Sequence, residues 1–130
     1  MKILLDTHVI LWALEDSPRL PLYIRDLIQD SNNEIYVSSI SLWEIAIKHK
    51  KAPEKMPFSA ERIKDFCLRA GFIFLSLSLD SVTLYEKYDF SSHQDPFDQM
   101  LVAQSLCNNM RLITHDEKLK LYNVGYIELF

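Results

Sequence analysis

Glycine and proline are scarce in this chain. With two glycines and five prolines in 130 residues, no stretch has the composition of a flexible linker. No repeat or low-complexity tract interrupts the sequence either. A chain without a seam implies one domain over residues 1–130, long enough to bury roughly two-thirds of its unfolded surface. Cysteine is equally rare. Cys67 and Cys107 lie far apart, form no CxxC pair and have no zinc-type spacing with histidine, so both are expected as buried free thiols of a reducing compartment. No apolar run reaches the length that spans a bilayer. The opening MKILLDTHVILWAL is interrupted by Asp6 and His8, runs into Glu15-Asp16 and lacks a small-residue cleavage site. A signal peptide is therefore not expected, and a cytoplasmic location is. An excess of positive charge is also missing. A net charge of −4 argues against a protein that grips nucleic acid through a broad basic face. The one basic cluster, Lys48–Lys51 with Lys55 nearby, reads first as a solvated helix C-terminus and only secondarily as a phosphate contact.

What is present is an alternation of short apolar runs and helical patterns. KILLD is a continuous apolar run of the kind found in buried parallel strands. HVILWALED reads as a helix stopped at Ser17-Pro18, and residues 21–29 as a second helix. After an Asn32-Asn33 turn, EIYVSS is the next strand and SLWEIAIKHK an amphipathic helix. SAERIKDFCLRAG is a helix with Gly71 placed to close it, FIFLSLS a strand and LDSVTLYEKY a helix. DPFDQMLVAQSLCNN is the strongest helix, RLITHD a strand like the first, and VGYIELF a final strand. Strands separated by helices imply βαβ units, a mainly parallel sheet of four to five strands, and helices on both faces.

Such sheets bind ligands beyond the carboxyl ends of their strands, and in this chain those ends carry acids. KILL leads to Asp6, RLITH leads to Asp116, and Glu44 lies about a turn into the helix after IYVSS. Each acid also has a plain structural explanation. Asp95, directly before Pro96, is a strong N-cap. Asp98 reads equally as a first-turn acid favoured by the helix dipole and as part of the inward stripe with Leu101, Val102 and Ser105. Ser41-Leu42-Trp43-Glu44 fits a capping box, although Ile40 and Ile47 would flank Glu44 on an inward face. Asp6 and Asp116 could each cap a following helix. These explanations do not predict that four acids gather at one edge of the sheet. The four histidines add little. His8 and His115 are expected to point away from the neighbouring aspartates by alternation, His93 falls in a polar turn and His49 in the basic cluster. Trp12 and Trp43 are expected in the core.

With these motifs in view, LLDTHVILWAL (4–14), VSSISLWEIAIK (37–48), HQDPFDQMLVAQS (93–105) and LITHDEKL (112–119) together resemble the PIN-domain ribonucleases, specifically VapC-like toxins of toxin–antitoxin pairs. The resemblance spans nearly the whole chain and implies a three-layer α/β/α PIN-like fold. It assigns the family's acids to Asp6, Glu44, Asp98 and Asp116, while Asp95 is not among the principal metal-binding acids. Gln99 departs from the pattern, standing where many relatives have arginine. The resemblance also implies an RNA substrate, a cognate antitoxin that covers the acidic cleft, and a homodimer. Hydrolysis by in-line attack would leave a 5′-phosphate and a 3′-hydroxyl.

The chemistry agrees with that assignment. No serine–histidine arrangement or paired histidines offer a metal-free route to phosphodiester hydrolysis. Clustered carboxylates offer the alternative, one or two divalent cations, with Mg²⁺ or Mn²⁺ suited to oxygen-only ligands. Asp6 and Asp98 are the expected principal ligands, with Asp116 and Glu44 completing the shell directly or through water. Two rivals remain. An aspartyl-phosphate phosphatase using Asp6 would want a second aspartate two residues on, where this chain has His8. A catalytically inactive PIN-like interaction module has no need of the complete acid set.

Overall fold

The computed structural model describes residues 1–89, 95–116 and 127–130. The chain order is β1 (Lys2–Leu5), α1 (Thr7–Leu14), α2 (Leu22–Gln29), β2 (Glu34–Ser38), α3 (Ser39–Lys51), α4 (Ala60–Arg69), β3 (Ile73–Leu75), α5 (Leu79–Lys87), α6 (Pro96–Cys107), β4 (Arg111–Thr114) and β5 (Ile127–Leu129). His93 and the residues directly after Asp116 lie outside the described residues.

The strands form one sheet in the order β3-β2-β1-β4-β5, and every pairing is parallel. The sheet is thus parallel throughout rather than mainly so, and has five strands. β1 is central, with Leu4 in register with Tyr36 on one side and Leu112 on the other. Because successive strand residues face opposite ways, the apolar runs divide between two cores. Ile3, Leu5, Ile35, Val37 and Ile113 pack beneath α1, α2 and α4 with Ile10, Ile24 and Ile63. Leu4 and Leu112 pack on the other face against Leu101, Val102 and Ala103 of α6, flanked by Tyr85 and Tyr88. Burial on both faces is why β1 reads as apolar at every position. The result is a three-layer α/β fold.

α3 belongs to both layers, since it contributes Ile45 to the first core and Ile40 to the second. Its buried stripe also contains Ser41 and Glu44, and these two polar residues displace apolar neighbours outward. Trp43, expected in the core, is 59% exposed and packs edge-on against Phe97, with ring centroids 5.4 Å apart. Ile47 is likewise exposed.

Helix ends follow local chemistry. Asp95 caps α6, accepting from the amides of Phe97 at 2.9 Å and Asp98 at 3.5 Å, with Pro96 at the first helical position. Ser59 caps α4 by accepting from the Arg62 amide. Beyond α4, Gly71 adopts φ +79, the Phe72 amide reaches the Cys67 carbonyl and the Gly71 amide the Leu68 carbonyl. This is a Schellman closure, as the sequence predicts. Asn109, at φ 52, closes α6 in the same way, with the Met110 amide on the Ser105 carbonyl. Both cysteines are free, Cys67 buried and Cys107 half-buried. Burial pushes the Cys67 thiol up to about 11, which keeps it unreactive. Among the described residues no helix is long and apolar enough to cross a membrane.

Gly71→Ala should destabilise the fold by about 1–2 kcal/mol through the left-handed backbone alone, because the space around its missing Cβ is open. Urea unfolding at equilibrium measures this. An unchanged midpoint would mean that the α4 closure relaxes without loss.

Candidate active site

The sheet changes direction at β1. The chain proceeds outward from β1 to β2 and β3 on one side, and to β4 and β5 on the other. The crevice beyond the carboxyl ends of β1 and β4 is therefore the switch point where such folds place ligands. β1 delivers Asp6 there. The carboxylate is 2% exposed and held at both oxygens, with the Thr7 amide donating to Oδ1 at 2.7 Å and the Thr114 hydroxyl to Oδ2 at 2.7 Å. Asp6 is thus the N-cap of α1 and a crevice residue at once. Burial raises its pKa above the usual aspartate value, and the bonds from Thr114 and Thr7 oppose that without cancelling it.

Glu44 does not close a capping box. Ser38 caps α3, accepting from the Ile40 amide, so the helix starts before Ser41 and Glu44 falls one turn too late to reach back to the cap. Its side chain, in a residue 5% exposed, turns into the crevice instead. Oε1 accepts from the Thr7 hydroxyl at 2.8 Å and Oε2 from Lys48 Nζ at 2.7 Å. Ser41 Oγ lies 3.0 Å from the same Thr7 oxygen. Asp98, in the first turn of α6, is half-buried. Its pKa is pushed up to about 8, first by desolvation and then by the charges of Asp6, Asp95, Glu44 and Asp116. Asp116 follows β4, and its amide donates to Thr114 Oγ1 at 3.0 Å. Thr114 therefore links Asp116 to Asp6, as Thr7 links Asp6 to Glu44.

Asp6, Glu44, Asp98 and Asp116 all border one open cavity of about 370 Å³, together with Asp95. Sequence reasoning treated Asp95 as a cap alone; it is a cap that also brings a fifth carboxyl group to the cavity. It missed both threonines, although each stands within two residues of a strand-end acid, where a buried hydroxyl finds a carboxylate. It also turned His8 and His115 away. His8 lies on α1 rather than on extended backbone, so it shares a face with Trp12 four residues on. His8, Trp12 and His115 all border the cavity, as do Arg19 and Lys48. Trp12 is half-buried: it packs against the first core, as expected, and also forms part of the cavity wall. Gln99, the departure from the family pattern, is buried and accepts from the Tyr85 hydroxyl at 2.8 Å.

The donor set is oxygen-only, and burial with the neighbouring acids raises the proton affinity of Asp98 and Asp6, which is the environment that a hard cation relieves. The acids thus fit a divalent ion in their chemistry. Among the described residues, no three His, Cys, Asp or Glu side chains already close around a single ion.

An all-parallel three-layer sheet with five carboxylates at its switch point defines an acid-lined α/β cleft protein. The PIN-domain family profile matches residues 3–124, and the chain belongs to that family. PIN-domain nucleases generally use divalent metal ions. Among solved structures, the fold is similar to VapBC2 from Rickettsia felis bound to a DNA fragment from its promoter, with a TM-score of 0.76 and 20% identity over 99% of this chain and 98% of that one. VapBC-1 from nontypeable Haemophilus influenzae is similar at a TM-score of 0.73 and 16% identity, covering 99% and 98%. DNA-bound VapBC from Salmonella typhimurium gives 0.69 and 16%, covering 100% and 97%. At these identities the likeness is one of fold. No curated protein matches this chain significantly by sequence.

The raised pKa of Asp98 has a measurable consequence. The folded chain keeps this proton up to about pH 8, whereas the unfolded chain releases it near 3.8. The native state therefore binds more protons across that window, and the Asp98 contribution to stability falls as pH rises through it. In metal-free buffer, the stability of Asp98→Asn relative to wild type should increase between pH 3.8 and 8 and then level off, as read by denaturant midpoints. A difference independent of pH would show that the Asp98 charge is already compensated.

Proposed function

We propose that this protein is a metal-dependent endoribonuclease, the toxin of a toxin–antitoxin pair, hydrolysing RNA phosphodiester bonds. The observation that supports this best is the gathering of Asp6, Glu44, Asp98 and Asp116 around one cavity at the switch point, in a chain of the PIN-domain family. A bound Mg²⁺ or Mn²⁺, one or two per site, would supply positive charge at the phosphate and lower the pKa of water there. The remaining requirements fall to the chain's own residues.

Asp6 and Asp98 are the principal oxygen donors. Asp6 is aimed by its two hydrogen bonds, so its lone pairs do not have to reorganise on binding. Glu44 and Asp116 complete the shell, directly or through water. Glu44, fixed between Thr7 and Lys48, is suited to orienting the attacking water. In-line attack breaks the bond to the 3′ oxygen and leaves a 5′-phosphate. No 2′-hydroxyl takes part, so preference for RNA rests on substrate fit. The partner is a cognate antitoxin that covers the cleft and sets an arginine or lysine against its carboxylates, in keeping with the VapBC complexes that share the fold. The active form is a homodimer.

Purified protein incubated with structured RNAs and Mg²⁺ or Mn²⁺ should cut them, and both EDTA and Asp6→Asn should abolish cutting. Persistent cleavage by Asp6→Asn would identify a contaminant. Absence of cleavage by wild type in the presence of metal would favour a non-catalytic module. Mn²⁺ should also raise the melting temperature of wild type more than that of Asp98→Asn; equal shifts would remove Asp98 from the ligand set.

Thr114→Val keeps the side-chain shape and removes the bond to Asp6 Oδ2. It should lower Mn²⁺ affinity or cleavage roughly ten- to hundredfold, the usual effect of losing a residue that orients a ligand. Isothermal titration with Mn²⁺ checks this without reference to activity, and unaltered affinity would show that Asp6 needs no such support.

A further inference from the structure

Among the described residues two cations, Arg19 and Lys48, border the acidic cavity, and they differ in what they hold. Lys48 is paired with Glu44. Arg19 has no ion-pair partner among the described residues, although its side chain reaches a cavity lined by five carboxylates. Its guanidinium instead lies over the Trp12 indole, 5.8 Å from the ring centroid, and its backbone amide is bonded to Ser17 Oγ at 3.2 Å. The indole is braced in turn. His8 lies tilted at 6.0 Å, and His115 and Phe130 pack edge-on at 5.4 and 6.0 Å. A guanidinium held over an aromatic face by cation–π attraction keeps N–H groups available, and its fork of donors matches the oxygens of a phosphate.

We infer that Arg19, held by Trp12, forms a phosphate subsite for a single-stranded polynucleotide at the rim of the acidic cavity. Its N–H groups receive the non-bridging oxygens of a phosphodiester next to the scissile one. The identity of the ligand rests on the nuclease reading. The subsite also answers a problem of charge. A chain of net charge −4 with an acid-lined cleft repels a polyanion, and one oriented cation beside the cleft offsets that repulsion where the strand must enter. Arg19 acts by touching the substrate, and Trp12 is a positioning residue that acts through Arg19.

The test uses the full chain with Arg19→Ala, Arg19→Lys, Trp12→Phe and Trp12→Leu. Arg19 is exposed, so its removal leaves the fold intact, and melting temperatures verify this for each variant. Arg19→Ala should raise KM for single-stranded RNA roughly ten- to hundredfold, the weight of a charge-assisted contact, with kcat and Mn²⁺ affinity unchanged. The slope of log affinity against log salt should fall by about 0.7, the value for one phosphate on a single strand. Arg19→Lys should recover only part of the loss, because an ammonium lacks the fork. Trp12→Phe keeps a ring beneath the guanidinium and should behave nearly as wild type, whereas Trp12→Leu should match Arg19→Ala.

Metal-dependent cleavage with the same KM and salt slope in Arg19→Ala would overturn the subsite and leave the nuclease reading standing. In the converse case, wild type cuts no RNA but binds a short single strand, measured by quenching of Trp12 in a Trp43→Phe background, and Arg19→Ala loses that binding. The subsite would then stand and the nuclease reading fall. Loss of antitoxin affinity in Arg19→Ala, with RNA binding unaffected, would assign the arginine to the protein partner and overturn the proposal.

Discussion

The structure is organised around carboxylates that repel one another in a half-desolvated crevice. Burial raises the proton affinity of Asp6 and Asp98, and neighbouring acids raise that of Asp98 further. An ordinary domain would disperse such charges over its surface. Here they are held in place by neutral donors. Thr7 donates to Asp6 through its backbone amide and to Glu44 through its hydroxyl, the Thr114 hydroxyl donates to Asp6 and accepts from the Asp116 backbone amide, and the Lys48 ammonium meets Glu44. Hydrogen bonds orient the oxygens without neutralising them, so the crevice keeps an excess of negative charge. That excess is what a bound cation would relieve.

The fold supplies the convergence. A parallel sheet sends all of its strand ends to the same edge, and the reversal of strand order at β1 opens a crevice between the loops after β1 and β4. α3 spans both layers with Ile40 and Ile45, which brings Glu44 to that edge from the first strand's other neighbour. α6 enters with its capped end foremost, so Asp98 arrives on its first turn. The two buried cores meet the thermodynamic demand of folding, and the acids are positioned against that stability rather than by it. Local rules fail where function concentrates. The apolar stripe of α3 carries Ser41 and Glu44 inside while Trp43 stands outside, and Trp12 lines the cavity as well as packing on the core.

The sheet and most helices were readable because their determinants are local. Apolar runs flanked by turn residues mark β1, β2 and β4, and Asp95-Pro96 and Gly71 set helix ends through their own backbone preferences. The acids themselves were recognisable by type and by position at strand ends. Their partners were not. The reading of Ser41 and Glu44 as a capping box was locally consistent, and it failed because Ser38 started the helix earlier. His8 was judged as if on a strand, where a helix had already begun at Thr7.

By itself, the order of residues determined which strands exist, that they alternate with helices, and which carboxylates stand at their ends. All of these are properties of short windows, where side-chain period and backbone preference act. The tertiary structure alone decided that Asp6 and Thr114, 108 positions apart, share a hydrogen bond, and that Arg19 rests on Trp12 at the rim of the same cavity. Contacts at that separation depend on strand order and on how the helix layers close over the sheet, which no local pattern encodes.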